Sequence, residues 1–421
     1  MDDTSTSAPL GFAEAVQTVL RRSGPGSRIV ELDIARAAGF APAEEVFADV
    51  DLPPFDRAAM DGFAYRHADL ARGPRLRLAG RVAAGETPAP RLAPGECVKI
   101  MTGAVVPEDA DTVIPVEDTT GYQPRDGFVA FHRPPPRGAN IAPRGEDLRA
   151  GAAVLRPGAL LTAQDIGLLA AVGRRRVRVH DGPRIAFAAT GSELREPGDP
   201  LPAGCIRNSN AYALWAQVLA ARGHAEYLGL LPDEPDALRA ALARGLAADI
   251  LVVSGGISMG ELDLVPGALE ELGVKIVFRW VRVRPGRPTL FGVREREAAA
   301  GPGASARTLV FGLPGNPLST LFGFDQYVLP AARVFRRHPR PAAPILEGRL
   351  DAGVRKKPGN TALIACRSEW AGSGFVLSPL VTHGSADIAG VRGADAIAII
   401  PEEAESPGAG TRVPFRRLHQ P

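Results

Sequence analysis

The chain has 421 residues, 45% of them hydrophobic and 23% charged, so a packed core divided among roughly two to four domains is feasible. Lysine and arginine number 49 and aspartate and glutamate 47, and this near-balance argues against a dedicated nucleic-acid binder, which carries a strong basic surplus. The three cysteines, Cys97, Cys205 and Cys366, are odd in number and far apart, which argues against a disulfide framework or a zinc knuckle and favours a reducing compartment.

The N-terminal third is predicted to begin with helices and to continue as a β-rich insert. Residues 1–8 lack the basic and apolar segments of a signal peptide, and no apolar stretch reaches the roughly 18 residues of a membrane span, so we expect a cytoplasmic protein without a membrane partner. Apolar spacing predicts an amphipathic helix over residues 10–22 and a second helix over residues 29–38. From residue 52 to about 144, short alternating segments with frequent glycine and proline predict strands.

The rest of the chain is predicted to be an α/β domain followed by a small β domain. Thr162 is a candidate N-cap for a helix over residues 162–172, and Asn316 can cap a helix that begins at Pro317. Between them, strands and helices alternate: strands over 185–189, 225–230, 250–254 and 308–311, and helices over 211–222, 235–247 and 262–272. This order predicts right-handed βαβ units and a parallel sheet covered on both faces.

The predicted fold class is therefore multidomain α/β, with a central parallel sheet. The predicted parts are an N-terminal helix (1–27) on the α/β domain or at a dimer interface, a small mixed domain (28–50 and 146–182), a β-rich insert (51–145), the α/β domain (183–337) and a C-terminal β domain (338–421).

Three carboxylates follow predicted strands of the parallel sheet, where ligands bind. Glu193, Asp233 and Asp263 stand there, and Gly191 and Gly255-Gly256 would let backbone approach a phosphate. Convergent carboxylates beside phosphate suggest Mg²⁺. Simpler interpretations stay open: Asp233 as a helix N-cap, Asp263 as a first-turn acid that complements the helix dipole, and Glu193 as a solvated charge.

Two further features allow both a functional and a structural interpretation. Arg279, Arg282, Arg284 and Arg287 surround Pro285-Gly286, and they form either an oxyanion site or a solvated edge strand protected by charge. Asp61 follows a proline-rich segment, where it is either part of a rigid turn or an exposed carboxylate on a hinge.

Seven ordered blocks of the chain resemble the molybdopterin molybdenumtransferase family, which includes the C-terminal domain of gephyrin. The blocks are PPFD with AMDGFA (53–64), IMTGA (100–104), RGED (144–147), TGSEL (190–194), NSN (208–210), SGGISMG (254–260) and GLPGNP (312–317). The resemblance covers nearly the whole chain. It implies a homodimer of four-part subunits, in which the insert of one subunit reaches the α/β domain of the other. It also implies the reaction: adenylated molybdopterin binds, Mg²⁺ assists release of AMP, and molybdate joins the dithiolene sulfurs of the pterin.

The resemblance also assigns roles to individual residues. It implies that the catalytic residues are Asp61, Thr102, Glu193 and Asp263, with Asp61 and Thr102 supplied by the partner subunit. Glu193, Asp233 and Asp263 would surround the metal. Substrate would be bound by Asp147, Ser254, Gly255, Gly256, Ser258, Pro314 and Pro317. The family's Lys-Pro-Gly-Lys-Pro oxyanion element is matched here by Arg284-Pro285-Gly286-Arg287-Pro288, accompanied by Ser319, Arg367 and Ser385. Contact with the molybdopterin adenylyltransferase, which supplies the substrate, is a further expectation.

Departures from the family pattern affect the oxyanion site. Both lysines of the element are arginines here, and Trp280 stands where a further basic residue is common, so a preference for tungstate is an alternative. A pterin-binding scaffold without catalysis and a nucleotide pyrophosphatase are further alternatives. The adenylyltransferase itself is disfavoured because it is a short single domain, without the β-rich insert and C-terminal β domain predicted here.

Overall fold

The computed structural model describes residues 8–86, 91–124, 126–232, 234–257, 264–296 and 307–418. The chain packs as two compact units. The first comprises the described residues of Met1–Ala43, Pro157–Thr162 and Val177–Pro421, and the second those of Glu44–Arg156 and Ala163–Arg176. Each unit is described by itself.

The helices follow one another in chain order. They are α1 (Phe12–Arg22), α2 (Ile34–Ala37), α3 (Ala163–Ala171), α4 (Ser209–Ala220), α5 (Pro235–Gly245), α6 (Val265–Glu271), α7 (Pro317–Gly323) and α8 (Leu329–Phe335). A π-helical turn, Phe324–Val328, joins α7 to α8.

The strands up to the start of the α/β domain are short. They are β1 (Leu10–Gly11), β2 (Ile29–Asp33), β3 (Val46–Phe47), β4 (Arg57–Ala58), β5 (Gly62–Tyr65), β6 (Arg75–Val82), β7 (Glu96–Ile100), β8 (Thr112–Pro115), β9 (Phe128–Ala130), β10 (Ile141–Ala142), β11 (Ala153–Leu155) and β12 (Arg176–His180). The later strands are β13 (Arg184–Thr190), β14 (Leu194–Arg195), β15 (Ile206–Arg207), β16 (His224–Leu231), β17 (Ile250–Ser254), β18 (Lys275–Arg284), β19 (Pro288–Glu295), β20 (Arg307–Leu313), β21 (Leu346–Leu350), β22 (Thr361–Trp370), β23 (Phe375–Pro379), β24 (Ala396–Ile400) and β25 (Arg412–Arg417).

The first predicted helix is confirmed and the second is wrong. In α1 the buried residues Phe12, Val16 and Val19 recur at helical spacing. Residues 29–33 instead form β2, and only the four residues of α2 are helical. The β-branched residues Ile29 and Val30 favour extended backbone, so the segment begins as a strand. The helix starts only after Asp33, whose carboxylate accepts a hydrogen bond from the N–H of Ala35 (3.0 Å) and caps it.

The first unit is built on a sheet in which β16, β13, β17 and β20 run parallel, β19 is antiparallel to β20, and β18 is antiparallel to β19. Alternate side chains of the buried strands face opposite sides. Phe187 and Val252 pack with α1, α4 and α7. Ala188 and Val253 pack with α5 and α6 on the other side. The predicted parallel sheet with helices on both faces is confirmed.

The C-terminal strands of the first unit close into a five-stranded barrel. β22 pairs with β23, β23 with β21, β21 with β25, β25 with β24, and β24 again with β22. Its core includes Leu350, Leu377 and Phe415, each fully buried. The end of β18 pairs with the start of β22, so the barrel continues the α/β sheet.

The second unit is β-rich. Five strands form a sheet in the order β8-β5-β7-β6-β9, which buries Phe63, Tyr65 and Ile114 on one face and Val98 and Ile100 on the other. The strands predicted between residues 52 and 144 are thus present as β4 to β10, while the five-part division of the chain stays a prediction. In neither unit do the described residues contain a helix long and apolar enough to cross a membrane.

Candidate functional site

A cleft of about 610 Å³ opens at the carboxyl ends of the parallel strands of the first unit. Thr190 lines it at the end of β13, residues 254–257 line it at the end of β17, and residues 314–317 line it after β20. β13 lies between β16 and β17 in the sheet. The chain therefore continues from β13 to β16 on one side and then crosses to β17 on the other side. Such a switch point is where open α/β sheets bind ligands.

Two glycines form the bend that follows β17. Gly255 has φ +94° and Gly256 has φ +64°, both in the region that disfavours other residues. A Cβ on Gly255 would lie 2.7 Å from the carbonyl oxygen of Thr190, and one on Gly256 would lie 2.8 Å from the Thr190 Oγ1. Glycine is therefore required twice over, by backbone conformation and by the approach of β13.

A buried polar network forms the floor of the cleft. Asn210, 9% exposed at the start of α4, donates from Nδ2 to Ser254 Oγ (2.9 Å), to the Gly315 carbonyl (2.7 Å) and to Thr320 Oγ1 (3.2 Å). Thr320 Oγ1 donates to the carbonyl of Pro314 (2.7 Å) and lies 3.1 Å from Ser254 Oγ. One amide thus joins the loops that follow β17 and β20 to α4.

A second polar cluster fixes Asn208 beside the cleft. Asn208 is 1% exposed, and its Oδ1 accepts from the N–H of Ala211 (3.2 Å), which caps α4. Its Nδ2 donates to the Glu196 carboxylate (3.2 Å) and to the Tyr227 hydroxyl (2.8 Å), and the Tyr227 hydroxyl donates to Glu196 (2.5 Å). Burial, followed by the Glu196 carboxylate, raises the pKa of Tyr227 well above its ordinary value. Tyr227 therefore acts here as a neutral hydrogen-bond donor.

The Glu193 carboxylate stands exposed on the lining of the cleft. Within the part of the chain that the structure describes, this carboxylate has no hydrogen-bond or salt-bridge partner. Gly191 makes room for it, since a Cβ there would lie 2.5 Å from Glu193 Oε2. Glu193 is thus an available oxygen ligand or hydrogen-bond acceptor at the cleft.

One wall of the cleft comes from the barrel. Ala386 and Ile388 lie in the loop between β23 and β24 and line the cleft. The loop is attached through Ser385, whose Oγ accepts from Asn316 Nδ2 (2.8 Å) and whose carbonyl accepts from the N–H of Leu318 (3.0 Å). Asn316 does stand at the N-cap position of α7, as predicted, but its side chain bonds to Ser385 rather than to the helix.

Asp387 holds this loop in shape. Its carboxylate accepts from the backbone N–H of His383 (3.0 Å), from that of Gly390 (2.9 Å) and from the His383 ring (3.1 Å). The backbone hydrogen bonds come first among the causes that lower the pKa of Asp387, followed by the His383 side chain. The carboxylate form therefore organises the loop that carries Ser385 and Ile388.

Known proteins are similar to this chain in both sequence and fold. The family described as MoeA N-terminal region (domain I and II) matches residues 10–173, and the family described as probable molybdopterin binding domain matches residues 186–334. A molybdopterin molybdenumtransferase of Bacillus subtilis (strain 168) is 32% identical over 366 residues, which are 85% of this chain and 83% of that protein. One of Haemophilus influenzae is 36% identical over 302 residues, 71% of each chain.

The chain belongs to the molybdopterin molybdenumtransferase family. The crystal structure of a molybdopterin biosynthesis moeA protein from Pyrococcus horikoshii OT3 agrees with it, at a TM-score of 0.79 and 26% identity over 98% of this chain and 100% of that one. The resemblance found in the sequence is confirmed, and so is the multidomain α/β architecture. The protein is accordingly a transferase of molybdenum cofactor biosynthesis.

The structure brings seven of the residues that the family pattern implies together in the cleft. They are Glu193, Ser254, Gly255, Gly256, Pro288, Pro314 and Pro317. Ser319 is 3% exposed inside α7, so its side chain is largely covered by protein. Three others, Asp233, Ser258 and Asp263, lie outside the described residues.

The basic residues divide into paired and available groups. Arg282 Nε donates to both carboxylate oxygens of Glu402 (2.8 and 2.9 Å), and Arg279 forms an ion pair with Glu270 (3.0 Å). Arg284 and Arg367 are exposed, and their guanidinium groups have no hydrogen-bond or ion-pair partner among the described residues. The Arg287 guanidinium lies 6.0 Å from the centre of the Trp280 ring.

Two of the sequence interpretations of this region are corrected. β18 is not an edge strand, because β19 pairs with one side and β1 and β22 pair with the other. Arg282 also does not add its charge to that of Arg284, because Glu402 neutralises it. Glu402 lies 120 residues away from Arg282 in the sequence, so the residues around Arg282 could not reveal this pairing.

The second unit holds the remaining residues of the family pattern. Asp61 Oδ1 accepts from the backbone N–H of Thr102 (2.6 Å) and from its hydroxyl (2.8 Å). The backbone hydrogen bond and then the hydroxyl lower the pKa of Asp61. Asp147 is exposed and lies 3.6 Å from Arg57. Thr102 therefore fixes the position of the Asp61 carboxylate.

Sequence reasoning named no role for Asn208 or Asn210, although both line the cleft. Their signal was present, since they stand in the NSN block that carried part of the resemblance. In the described ranges, no three His, Cys, Asp or Glu side chains are grouped closely enough to hold a metal ion.

Proposed function

We propose that this cleft binds adenylated molybdopterin, releases AMP from it, and inserts molybdate into its dithiolene. The observation that carries the proposal is the Gly255-Gly256 bend at the switch point, beside the available carboxylate of Glu193. Such a bend lets a phosphate approach the backbone closely. A carboxylate and a phosphate at one place are the usual setting for a hard divalent cation.

The available carboxylate of Glu193 suits Mg²⁺, which prefers oxygen ligands. Proteins commonly bind Mg²⁺ through one or two carboxylates, with substrate phosphates and water completing the octahedron. Glu193 supplies one such carboxylate, and Asp233 and Asp263 are proposed to supply others. Bound there, Mg²⁺ would draw charge from the pyrophosphate link that is cleaved.

The chain's own residues would position the substrate. The Asn210 network fixes Pro314 and Gly315 against Ser254, so the floor is rigid before the ligand arrives. Ile388 lines the cleft and offers it an apolar side chain. In phosphoryl chemistry, such positioning and charge stabilisation account for most of the rate enhancement.

The available arginines are proposed to hold molybdate. Arg284, Arg287 and Arg367 would provide guanidinium donors, with Pro288, Ser319 and Ser385 beside them. Arginine in place of lysine keeps the charge but offers a planar, two-pronged contact, which suits a bound oxyanion.

The working enzyme is proposed to be a cytoplasmic homodimer. Asp61, Thr102 and Asp147 would reach the cleft from a second copy of the chain, through the insert predicted over residues 51–145. The other predicted domain boundaries, and contact with the molybdopterin adenylyltransferase, belong to the same proposal.

The decisive experiment measures AMP release from adenylated molybdopterin by the purified enzyme. Reactions contain or lack Mg²⁺, and contain molybdate, tungstate or neither. We expect release that requires Mg²⁺ and is stimulated by molybdate. Glu193→Gln should lower the rate by roughly 10–100-fold, as loss of a metal-positioning group does. Asp236→Asn, a change at an exposed α5 carboxylate, is the matched control and should leave the rate unchanged.

Other outcomes would revise the proposal in different ways. Stimulation by tungstate alone would reassign the oxyanion. Release at the wild-type rate by Glu193→Gln would remove Glu193 from the site. No release under any condition would leave a pterin-binding scaffold as the function.

A further inference from the structure

The Nδ2 donor of the Asn210 side chain is engaged in hydrogen bonds, whereas its Oδ1 acceptor is not. Its Nδ2 contacts three oxygens, and one of them, the Gly315 carbonyl at 2.7 Å, can only accept a hydrogen bond. This carbonyl fixes the orientation of the amide, because the reverse orientation would place two acceptors together. The Oδ1 atom consequently points away from Gly315.

The remaining protons of the floor can be assigned from the same contacts. The single hydroxyl proton of Thr320 goes to the Pro314 carbonyl. Ser254 must then donate to Thr320, and Ser254 Oγ accepts from Asn210. The hydroxyl proton of Ser254 is therefore already donated to Thr320 within the floor, so Ser254 does not donate it to a ligand phosphate.

Asn210 Oδ1 has no hydrogen-bond partner among the described residues. The residue as a whole is only 9% exposed. Its Oδ1 atom is not fully buried, however, and so remains accessible to solvent or to a ligand. Asn210 lines the cleft and its Nδ2 is turned toward Ser254, Gly315 and Thr320, so we infer that Oδ1 is the atom that faces a ligand. A nearly buried side chain thus presents one acceptor to whatever binds there.

We propose that Asn210 is a specificity-determining residue, whose Oδ1 accepts a hydrogen bond from an N–H on the ring edge of the bound ligand. Phosphoryl oxygens are themselves acceptors and would be repelled by Oδ1, so the phosphate lies elsewhere in the cleft. Ile257, Pro314 and Pro317 also line the cleft and offer apolar surface to a flat ring. This inference rests on the proposed function, and both the pterin and the adenine of the substrate carry such N–H groups.

Titrations of the full-length enzyme with separate pieces of the substrate test the inference. The probes are 2-amino-4-oxopteridine and AMP, an analogue of each in which methyl groups replace the ring-edge N–H groups, and inorganic phosphate. We expect wild type to prefer one parent ring over its methylated analogue by roughly 5–10-fold, the effect of one net hydrogen bond. The parent ring for which this preference appears identifies the part of the substrate that contacts Asn210.

Variants separate acceptance of a hydrogen bond from support of the floor. Asn210→Ala should abolish the preference for the parent ring. Thr320→Val damages the floor without touching Oδ1 and should retain it. If Asn210→Ala does not fold, the titrations of wild type and Thr320→Val still decide the question, because a wild-type preference below twofold overturns the inference.

Two outcomes would overturn the inference: a wild-type preference below twofold for both rings, or a full preference in Asn210→Ala. A wild type that binds both rings without preference contradicts the inference alone. A wild type that binds neither ring contradicts the proposed function as well.

Discussion

Substituting the two glycines of the cleft by alanine should destabilise the first unit by different mechanisms. In Gly255→Ala, the positive φ costs about 1–2 kcal/mol. The contact of the new Cβ with the Thr190 carbonyl at 2.7 Å adds about 1–3 kcal/mol, as overpacking does. The sum is a loss of about 2–5 kcal/mol in the free energy of unfolding. Gly273→Ala is the matched control: its φ is +80°, but its Cβ would meet nothing within 4 Å, so only the backbone term of about 1–2 kcal/mol applies.

The neighbouring position allows the contact to be relieved. In Gly256→Ala the closest atom is Thr190 Oγ1, which belongs to a side chain. Thr190→Ala should therefore recover about 1 kcal/mol or more of the loss in Gly256→Ala, measured as a coupling energy in a double-mutant cycle. The same change should recover less in Gly255→Ala, because there the backbone carbonyl stays in place.

Urea unfolding followed by tryptophan fluorescence measures these losses. The chain has three tryptophans, Trp215, Trp280 and Trp370, and all of them lie in the first unit, so the signal reports its unfolding. The reasoning is refuted if Gly255→Ala loses no more stability than Gly273→Ala, or if Thr190→Ala rescues both glycine variants equally.

Three further predictions concern charge. Burial raises the pKa of Asp325 to about 6, against about 3.9 in the unfolded chain. The contribution of protonated Asp325 to the free energy of unfolding is therefore fully present below the unfolded pKa and is lost as the pH rises through 6. Asp325→Asn should remove this slope in urea unfolding between pH 4 and 7, and an unchanged slope contradicts it. Arg282→Met should lower the free energy of unfolding without weakening molybdate binding, because Arg282 is paired with Glu402. Arg284→Ala should weaken molybdate binding by at least about 10-fold in calorimetry. The reverse pattern would refute the assignment of Arg282 as paired and Arg284 as available. Asp387 has a lowered pKa, so it stabilises its loop above the ordinary carboxyl range and this effect is lost as the pH falls through its own pKa. Asp387→Asn should speed hydrogen exchange over residues 383–390 at pH 7, and equal exchange would contradict its role.

The parallel sheet and its ligand edge could be predicted because the signals are local. The strand at 250–254 is a continuous apolar run before two glycines, and its bounds in the structure match the prediction. The second predicted helix failed because the pattern over residues 29–38 contained both a strand and a helix. The carboxylate of Asp33 separates them, and apolar spacing alone does not show where a cap will act.

The cleft itself was predicted only in outline, because its polar contacts join distant parts of the chain. Asn210 bonds to residues 44 and 105 positions away, and no periodicity indicates such pairs. The same holds for the ion pair of Arg282 with Glu402. Motif blocks identified residues that line the cleft, while the direction of each hydrogen bond required the folded chain.

The wall that the barrel contributes has a thermodynamic consequence. Ile388 can contact a ligand only while the barrel is folded and its loop is attached through Ser385. A ligand that fills the cleft therefore binds the folded barrel and not its unfolded form, and linkage requires that it stabilise the barrel too. Saturating substrate should thus protect the C-terminal strands against proteolysis, even though most of the cleft is built by the sheet that precedes them.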